Sequence, residues 1–177
     1  LADAVESTVF IPFLHFKYRP IMDLQLKQLH ILITGGSKGI GLACAQGFLR
    51  EGAKVSLVSR SQANLDEALQ QLSKEFPELH GHVGLFAADL EDAGQAAQAL
   101  AQAERLHGQV DVLVNSAGAA KRTPPDELNA QVWHDAMNAK FFTYVHMIDL
   151  VIKKMGLRGG GAIVNVVGAG GKVASPI

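Results

Sequence analysis

An apolar run that breaks into glycine constrains this chain more than any other feature. Leu29-His30-Ile31-Leu32-Ile33-Thr34 leads into Gly35-Gly36-Ser37-Lys38-Gly39-Ile40-Gly41, and a helical pattern starts at Ile40-Gly41-Leu42-Ala43. A buried strand here delivers the chain to a turn. The glycines let the backbone bend sharply and come close to a ligand. The helix then aims free N–H groups and the positive end of its dipole at the same place, which makes an anion site. Glycines 35, 39 and 41 are spaced differently from the commonest dinucleotide fingerprint, and a tight structural turn would use glycine in the same way. Their setting, with a strand before and a helix after in the first βα unit, points to a dinucleotide pyrophosphate.

The chain beyond this turn continues the alternation. Residues 29–34 read as the first strand and 39–50 as its helix, closed by Glu51-Gly52. Lys54 to Ser59 is a second strand, and Ser61 can cap a helix whose stripe is Leu65, Leu69, Leu72 and Phe76, ended by Pro77. Residues 82–88 form a third strand, 92–107 an alanine-rich helix stopped by Gly108, and Val110 to Val114 a fourth strand. Pro124-Pro125 opens a long helix over about 126–155, and Gly159-Gly160-Gly161 turns into a fifth strand from Ala162 to Val167. Strands and helices alternating at these lengths predict parallel βαβ units in an α/β, Rossmann-type doubly wound sheet. Residues 1–21 do not share the pattern and read as an N-terminal extension of unknown role, so the domain is expected over 22–177.

Composition narrows the partners. A net charge of −1 argues against nucleic acid or an anionic membrane surface. The only cysteine, Cys44, excludes an internal disulfide and suits a reducing cytosol; its place in the first helix favours packing over reactivity. No apolar run approaches the ~18 residues of a membrane span. Asp3 and Glu6 stand where a signal peptide would be positive. The expectation is a cytoplasmic protein with no membrane partner. Seven histidines and one cysteine show no metal-ligand spacing, and His134 and His146 have no suitably spaced acid.

The second strand ends in Ser59-Arg60, where NAD sites commonly place an acid on the ribose 2′-OH. Arginine would instead pair its planar fork with a 2′-phosphate, and Lys38 in the glycine turn can approach the same group. Two cations and no acid predict NADP(H) in preference to NAD(H). A solvated arginine and an exposed loop lysine are the plainer alternatives.

With these residues in view, the chain resembles the short-chain dehydrogenase/reductase family over residues 29–177. Thr34-Gly35-Gly36-Ser37-Lys38-Gly39-Ile40-Gly41 matches the cofactor turn. Ala88-Asp89-Leu90 resembles the adenine-contacting aspartate, and Asn115-Ser116-Ala117-Gly118 matches Asn-Asn-Ala-Gly with one change. Ile163-Val164-Asn165-Val166 resembles the strand that carries the catalytic serine. The resemblance implies a seven-stranded sheet of which the first five strands occur here and the C-terminal ones are missing. It also implies hydride transfer between NAD(P)(H) and a small alcohol or carbonyl, and a homo-oligomer, dimer or tetramer, built through the long helices. Carried over residue by residue, the cofactor set is Gly35, Ser37, Lys38, Gly39, Ile40, Gly41, Ser59, Arg60, Asp89, Leu90, Asn115, Ala117 and Gly118.

The family's proton relay uses a tyrosine, a lysine four positions later, a serine and an asparagine. With Trp133 as the fixed aromatic, ungapped register puts Lys140 at the asparagine position and Gly168, which has no hydroxyl, at the serine position. Asn138 and Ser175 lie out of register, and the tyrosine and its lysine fall past Ile177. A buried lysine with a lowered pKa can donate a proton; a surface or ribose-facing lysine is the simpler reading of Lys140. No catalytic residue is assigned. Three readings stay open: an NADP(H)-dependent oxidoreductase, a nucleotide-binding family member with lost or altered catalysis, and a non-functional fragment.

Overall fold

The computed structural model describes residues 24–118 and 123–168. Five parallel strands are ordered β3-β2-β1-β4-β5. They are β1 (His30–Thr34), β2 (Lys54–Ser59), β3 (Val83–Ala87), β4 (Val112–Asn115) and β5 (Ala162–Asn165). Helices α1 (Gly39–Arg50) and α2 (Gln62–Glu75) make the first two crossovers, and α3 (Ala93–His107) makes the third. Between β4 and β5 run α4 (Ala130–Met137) and α5 (Thr143–Arg158).

Every residue of the central strand β1 is buried, so it reads as a continuous apolar run rather than an alternating one. Successive side chains still point to opposite faces. Ile31 and Ile33 pack with Val55 and Leu57 of β2 against Ala45 and Leu49 of α1 and Leu65, Ala68 and Leu72 of α2. Leu32 faces the other way, with Val58 and Leu113, onto Ala96, Leu100 and Ala103 of α3 and Met147 and Val151 of α5. The sheet is thus covered on both faces over its inner strands β2, β1 and β4, whereas the edge strand β5 is largely exposed. The chain moves outward through β1, β2 and β3, then returns to the other side of β1 to begin β4. That reversal is a topological switch point, the place where open α/β sheets take ligands beyond their carboxyl ends.

The predicted alternation is observed, with adjusted borders. Ser61 accepts from the Asn64 N–H and caps α2. Asp92 accepts from the Gly94 and Gln95 N–H groups and caps α3, which lowers its carboxyl pKa. Gly108, at φ +85, ends α3. Leu69 of the predicted stripe is only partly buried, while Ala68 is buried in its place.

The long helix departs from its expected form. Pro125–Glu127 is a separate 3-10 turn, and the helix begins at Ala130 because Asn129 caps it by accepting the Val132 N–H. A π-helical turn, Asn138–Phe142, separates α4 from α5. The helix runs on to Arg158, past the expected end, and stops where Gly159 takes a left-handed conformation at φ +78. The strands are also shorter than expected: β4 begins at Val112, and β5 ends at Asn165 rather than Val167. Asp111, just before β4, still bonds to both neighbouring strands: its N–H donates to the His30 carbonyl, its carbonyl accepts from the Ala162 N–H, and its carboxylate accepts the His30 N–H at 2.9 Å. Among the described residues no helix is long and apolar enough to cross a membrane. The expected 1–21 extension and Ser175 lie outside the described residues.

Candidate functional site

Four apolar strands each end in a polar residue: Thr34 in β1, Ser59 in β2, Asn115 in β4 and Asn165 in β5. Parallel register sets Thr34 beside Asn115, and Asn115 beside Asn165. Their side chains form a hydrogen-bonded seam along the carboxyl edge of the sheet. Ser37 Oγ donates to Ser59 Oγ at 3.0 Å, fastening the glycine turn to β2. Thr34 Oγ1 accepts from the backbone N–H groups of Ser116 and Ala117, both at 3.1 Å, fastening β1 to the loop after β4. It also approaches Asn115 Oδ1 as a donor at 3.5 Å. Asn115 Nδ2 donates to Asn165 Oδ1 at 3.0 Å. Buried polar groups are tolerable when paired in this way, and a paired network fixes a unique geometry.

The seam backs a cleft at the switch point, lined by Gly35, Val58, Ser59, Arg60, Ala88, Asp89, Leu90, Glu91, Ala117, Gly118, Ala139 and Thr143. Of the residues assigned from sequence, Gly35, Ser59, Arg60, Asp89, Leu90, Ala117 and Gly118 therefore meet in one cavity. Ser37 and Asn115 are buried behind it, in the seam. Lys38, Gly39 and Ile40 are exposed on the turn and do not line the cleft. Gly41 is buried and lies outside the lining. A Cβ on Gly41 would collide with the Gly35 carbonyl, and one on Gly35, at φ +64, would press on the Ala117 backbone, so the turn closes only because both are glycine.

The cradle fits a dinucleotide. Helices α2, α3 and α4 are each capped by a side chain, whereas Lys38, the N-cap of α1, makes no such bond. Among the described residues nothing lies within 4 Å of where a Gly39 Cβ would stand. The first turn of α1 is thus uncovered, as an anion site at a helix N-terminus requires. Arg60 Nη1 lies 3.7 Å from Glu91 Oε1, and both side chains border the cleft. Asp89 is held by two local bonds: its N–H donates to Gln95 Oε1, and its Oδ1 accepts the Glu91 N–H. His146 acts as a brace, its Nδ1–H donating to the Leu90 carbonyl at 2.9 Å.

The inner end of the cleft is closed by the π-turn. Lys140 Nζ donates to Tyr144 Oη at 2.9 Å and lies 3.5 Å from the Val166 carbonyl, to which Tyr144 Oη donates at 2.8 Å. Gly118, at φ +131, lies against the same lysine: a Cβ there would stand 2.6 Å from Lys140 Cδ. Only glycine lets the β4 loop pass so close. The lysine is therefore half-buried and hydrogen-bonded rather than a free surface lysine. Gly168 is exposed, and no described residue comes within 4 Å of its Cβ position.

Sequence reasoning missed Glu91, Ala139, Thr143 and Tyr144. Ala139 and Thr143 carried a signal in being one helical turn apart on the long helix. Glu91 directly follows the Asp89-Leu90 motif. Tyr144 carried the same signal, four residues after Lys140, but one tyrosine in an apolar helical run reads as core.

Comparison with known proteins agrees with this architecture. The short chain dehydrogenase family profile matches residues 29–177. The chain is 34% identical over 145 residues to gluconate 5-dehydrogenase of Gluconobacter oxydans, covering 82% of this chain and 55% of that protein. It is 33% identical over 152 residues to D-threitol dehydrogenase of Mycolicibacterium smegmatis, covering 86% and 57%. Among solved structures, L-sorbose reductase from Gluconobacter frateurii complexed with NADPH and L-sorbose superposes with a TM-score of 0.73 at 31% identity, over 81% of this chain and 54% of that one. The chain belongs to the short-chain dehydrogenase/reductase family. It spans about half the length of the curated relatives it matches.

Proposed function

We propose that this chain is the nucleotide-binding part of an NADP(H)-dependent oxidoreductase that moves hydride between the nicotinamide and a small alcohol or carbonyl. The observation that carries the cofactor choice is Arg60. It follows the last residue of β2, borders the cleft, and has Ser59 rather than an acid before it. A guanidinium suits a 2′-phosphate, whereas an acid at that point suits a free ribose hydroxyl. The NADPH complex of L-sorbose reductase, a protein of similar fold and sequence, supports the same choice.

In this reading the first turn of α1 faces the pyrophosphate, and Gly35 and Gly41 allow the close approach. Asp89 and Leu90 form the adenine wall. Ala117 and Gly118 border the path to the nicotinamide, which supplies the hydride when bound. The single cysteine suits a reducing, cytoplasmic setting. Trp133, Met137, Phe141, Phe142 and Ile152 are exposed apolar residues on α4, the π-turn and α5, suited to a homo-oligomer contact.

The experiment is nucleotide titration of Arg60→Asp. NADPH affinity should fall at least ~10-fold while NADH affinity changes little, because only the former places a phosphate on the guanidinium. Equal loss of both overturns the 2′-phosphate assignment.

A second reading is favoured by Lys140 and Gly168: nucleotide binding retained with an altered proton relay. The ammonium already engages Tyr144 and the Val166 carbonyl, and Gly168 offers no hydroxyl. NADPH binding without oxidation by any of a carbonyl panel would favour it over the first.

A further inference from the structure

We propose that Glu91 is a specificity-determining residue that opposes NADPH, competing with the ribose 2′-phosphate for Arg60. The proposal rests on the assignment of Arg60 to that phosphate.

The second strand ends without an acid, yet the cleft does not lack one. Pairing of β2 with β3 sets Ser59 beside Ala87, so the loop leaving β3 runs next to the loop leaving β2. Glu91 arrives by this route, with its Oε1 at 3.7 Å from Arg60 Nη1. The two are not equally free. Glu91 stands on a braced backbone: its own N–H is bonded to Asp89 Oδ1, Leu90 carries the His146 bond, and Asp92 caps α3. The Arg60 side chain is 64% exposed, the Glu91 side chain 35%. A carboxylate on a braced backbone therefore sits beside a more solvated guanidinium.

The effect on nucleotide choice comes from charge, with a hydrogen bond beside it. A 2′-phosphate carries nearly two negative charges and needs Arg60 for itself. To reach it, the phosphate must share the guanidinium with Glu91 or displace the carboxylate, and like charges in the cleft repel. A ribose 2′-hydroxyl meets no such opposition, and a carboxylate accepts its hydrogen bond. Glu91 thus draws an arginine-marked site back toward dual use of the two nucleotides. Because the pair is exposed, the effect is modest and weakens with salt.

The test is titration of the full chain with NADPH and NADH, by nucleotide fluorescence at low and at physiological salt, for wild type, Glu91→Gln and Arg60→Asp. Titration with 2′,5′-ADP and 5′-AMP, which differ only in the 2′-phosphate, isolates that phosphate from the nicotinamide. Glu91→Gln, nearly isosteric and on an exposed loop, should tighten NADPH and 2′,5′-ADP about 3- to 10-fold at low salt, with NADH and 5′-AMP unchanged or slightly weaker. Glu91→Ala should give the same direction. Weaker NADPH binding in both variants would mean that Glu91 holds Arg60 in place for the phosphate, and overturns the proposal. An unchanged NADPH:NADH ratio overturns it as well. If Arg60→Asp is selective against NADPH while Glu91→Gln has no effect, only the role of Glu91 fails. If Arg60→Asp weakens both nucleotides alike, the phosphate assignment beneath it fails.

Discussion

Lys140 Nζ and Tyr144 Oη are hydrogen-bonded at 2.9 Å, and the phenol donates its own proton to the Val166 carbonyl at 2.8 Å. The π-turn and the exit of β5 are joined through these two side chains. The phenol makes the short bond to the strand, and the ammonium reaches the same carbonyl only at 3.5 Å. Tyr144→Phe should therefore cost about 1–2 kcal/mol, since it leaves a half-buried carbonyl poorly paired. Lys140→Met keeps the Tyr144–Val166 bond and should cost less than about 1 kcal/mol. Urea unfolding checks the order. A larger loss for Lys140→Met would mean that the ammonium, not the phenol, holds the β5 exit.

Local signals made the fold legible. Ser61 and Gly108 act where short-range chemistry places them, because caps depend on residues within one turn. The glycine turn was legible for the same reason. What stayed hidden was non-local. Glu91 meets Arg60 only because β3 pairs with β2, and no spacing along the chain encodes that contact. The π-turn inserts into a helix whose apolar spacing is continuous enough to read as one element. The hydrogen bonds of Lys140 depend on where Val166 arrives from another strand, which its position along the helix does not reveal. The buried His30 was invisible as well, since a strand start gives no hint of which side chain will meet it.

Thr34 should matter more than its size suggests. It is fully buried, and its hydroxyl takes the N–H groups of Ser116 and Ala117 at the start of the cleft wall. Thr34→Val keeps the shape and strands both donors, so stability should fall by about 1–3 kcal/mol. NADPH affinity should fall with it, because the Ala117-Gly118 loop loses its anchor. Thr34→Ser keeps the hydroxyl and should recover the affinity. Equal binding by wild type, Thr34→Val and Thr34→Ser would show that the loop is positioned without this bond. Calorimetric titration of the three proteins decides it.

The opposite end of the sheet should make the fold acid-sensitive. His30 is 1% exposed, with Nδ1–H donating to the Gly108 carbonyl at 2.7 Å and Nε2 at 2.8 Å from Ser56 Oγ. His107 packs edge-on against it, ring centroids 5.3 Å apart, and its Nε2 is buried without a partner among the described residues. Burial lowers the pKa of both, in His107 to about 4, with His30, Lys54 and His82 adding to the effect there. The hydrogen bond to the Gly108 carbonyl, and after it Asp111 and Glu104, partly offset it at His30. A folded-state pKa below the unfolded value means that the unfolded chain binds protons the folded chain refuses. No penalty exists above about pH 6.5, and stability is lost as pH falls from there toward the folded pKa near 4. One such group gives at most about 1.4 kcal/mol per pH unit, and about 1 kcal/mol after allowance for the partial exposure of His107. His107→Phe keeps a ring against His30 and removes the titration. Between pH 7 and pH 5 its unfolding free energy should therefore fall less steeply than that of wild type, by up to about 1 kcal/mol per pH unit. Carboxylates contribute equally to both proteins and cancel in the difference. Parallel slopes for the two would mean that His107 titrates normally in the folded state.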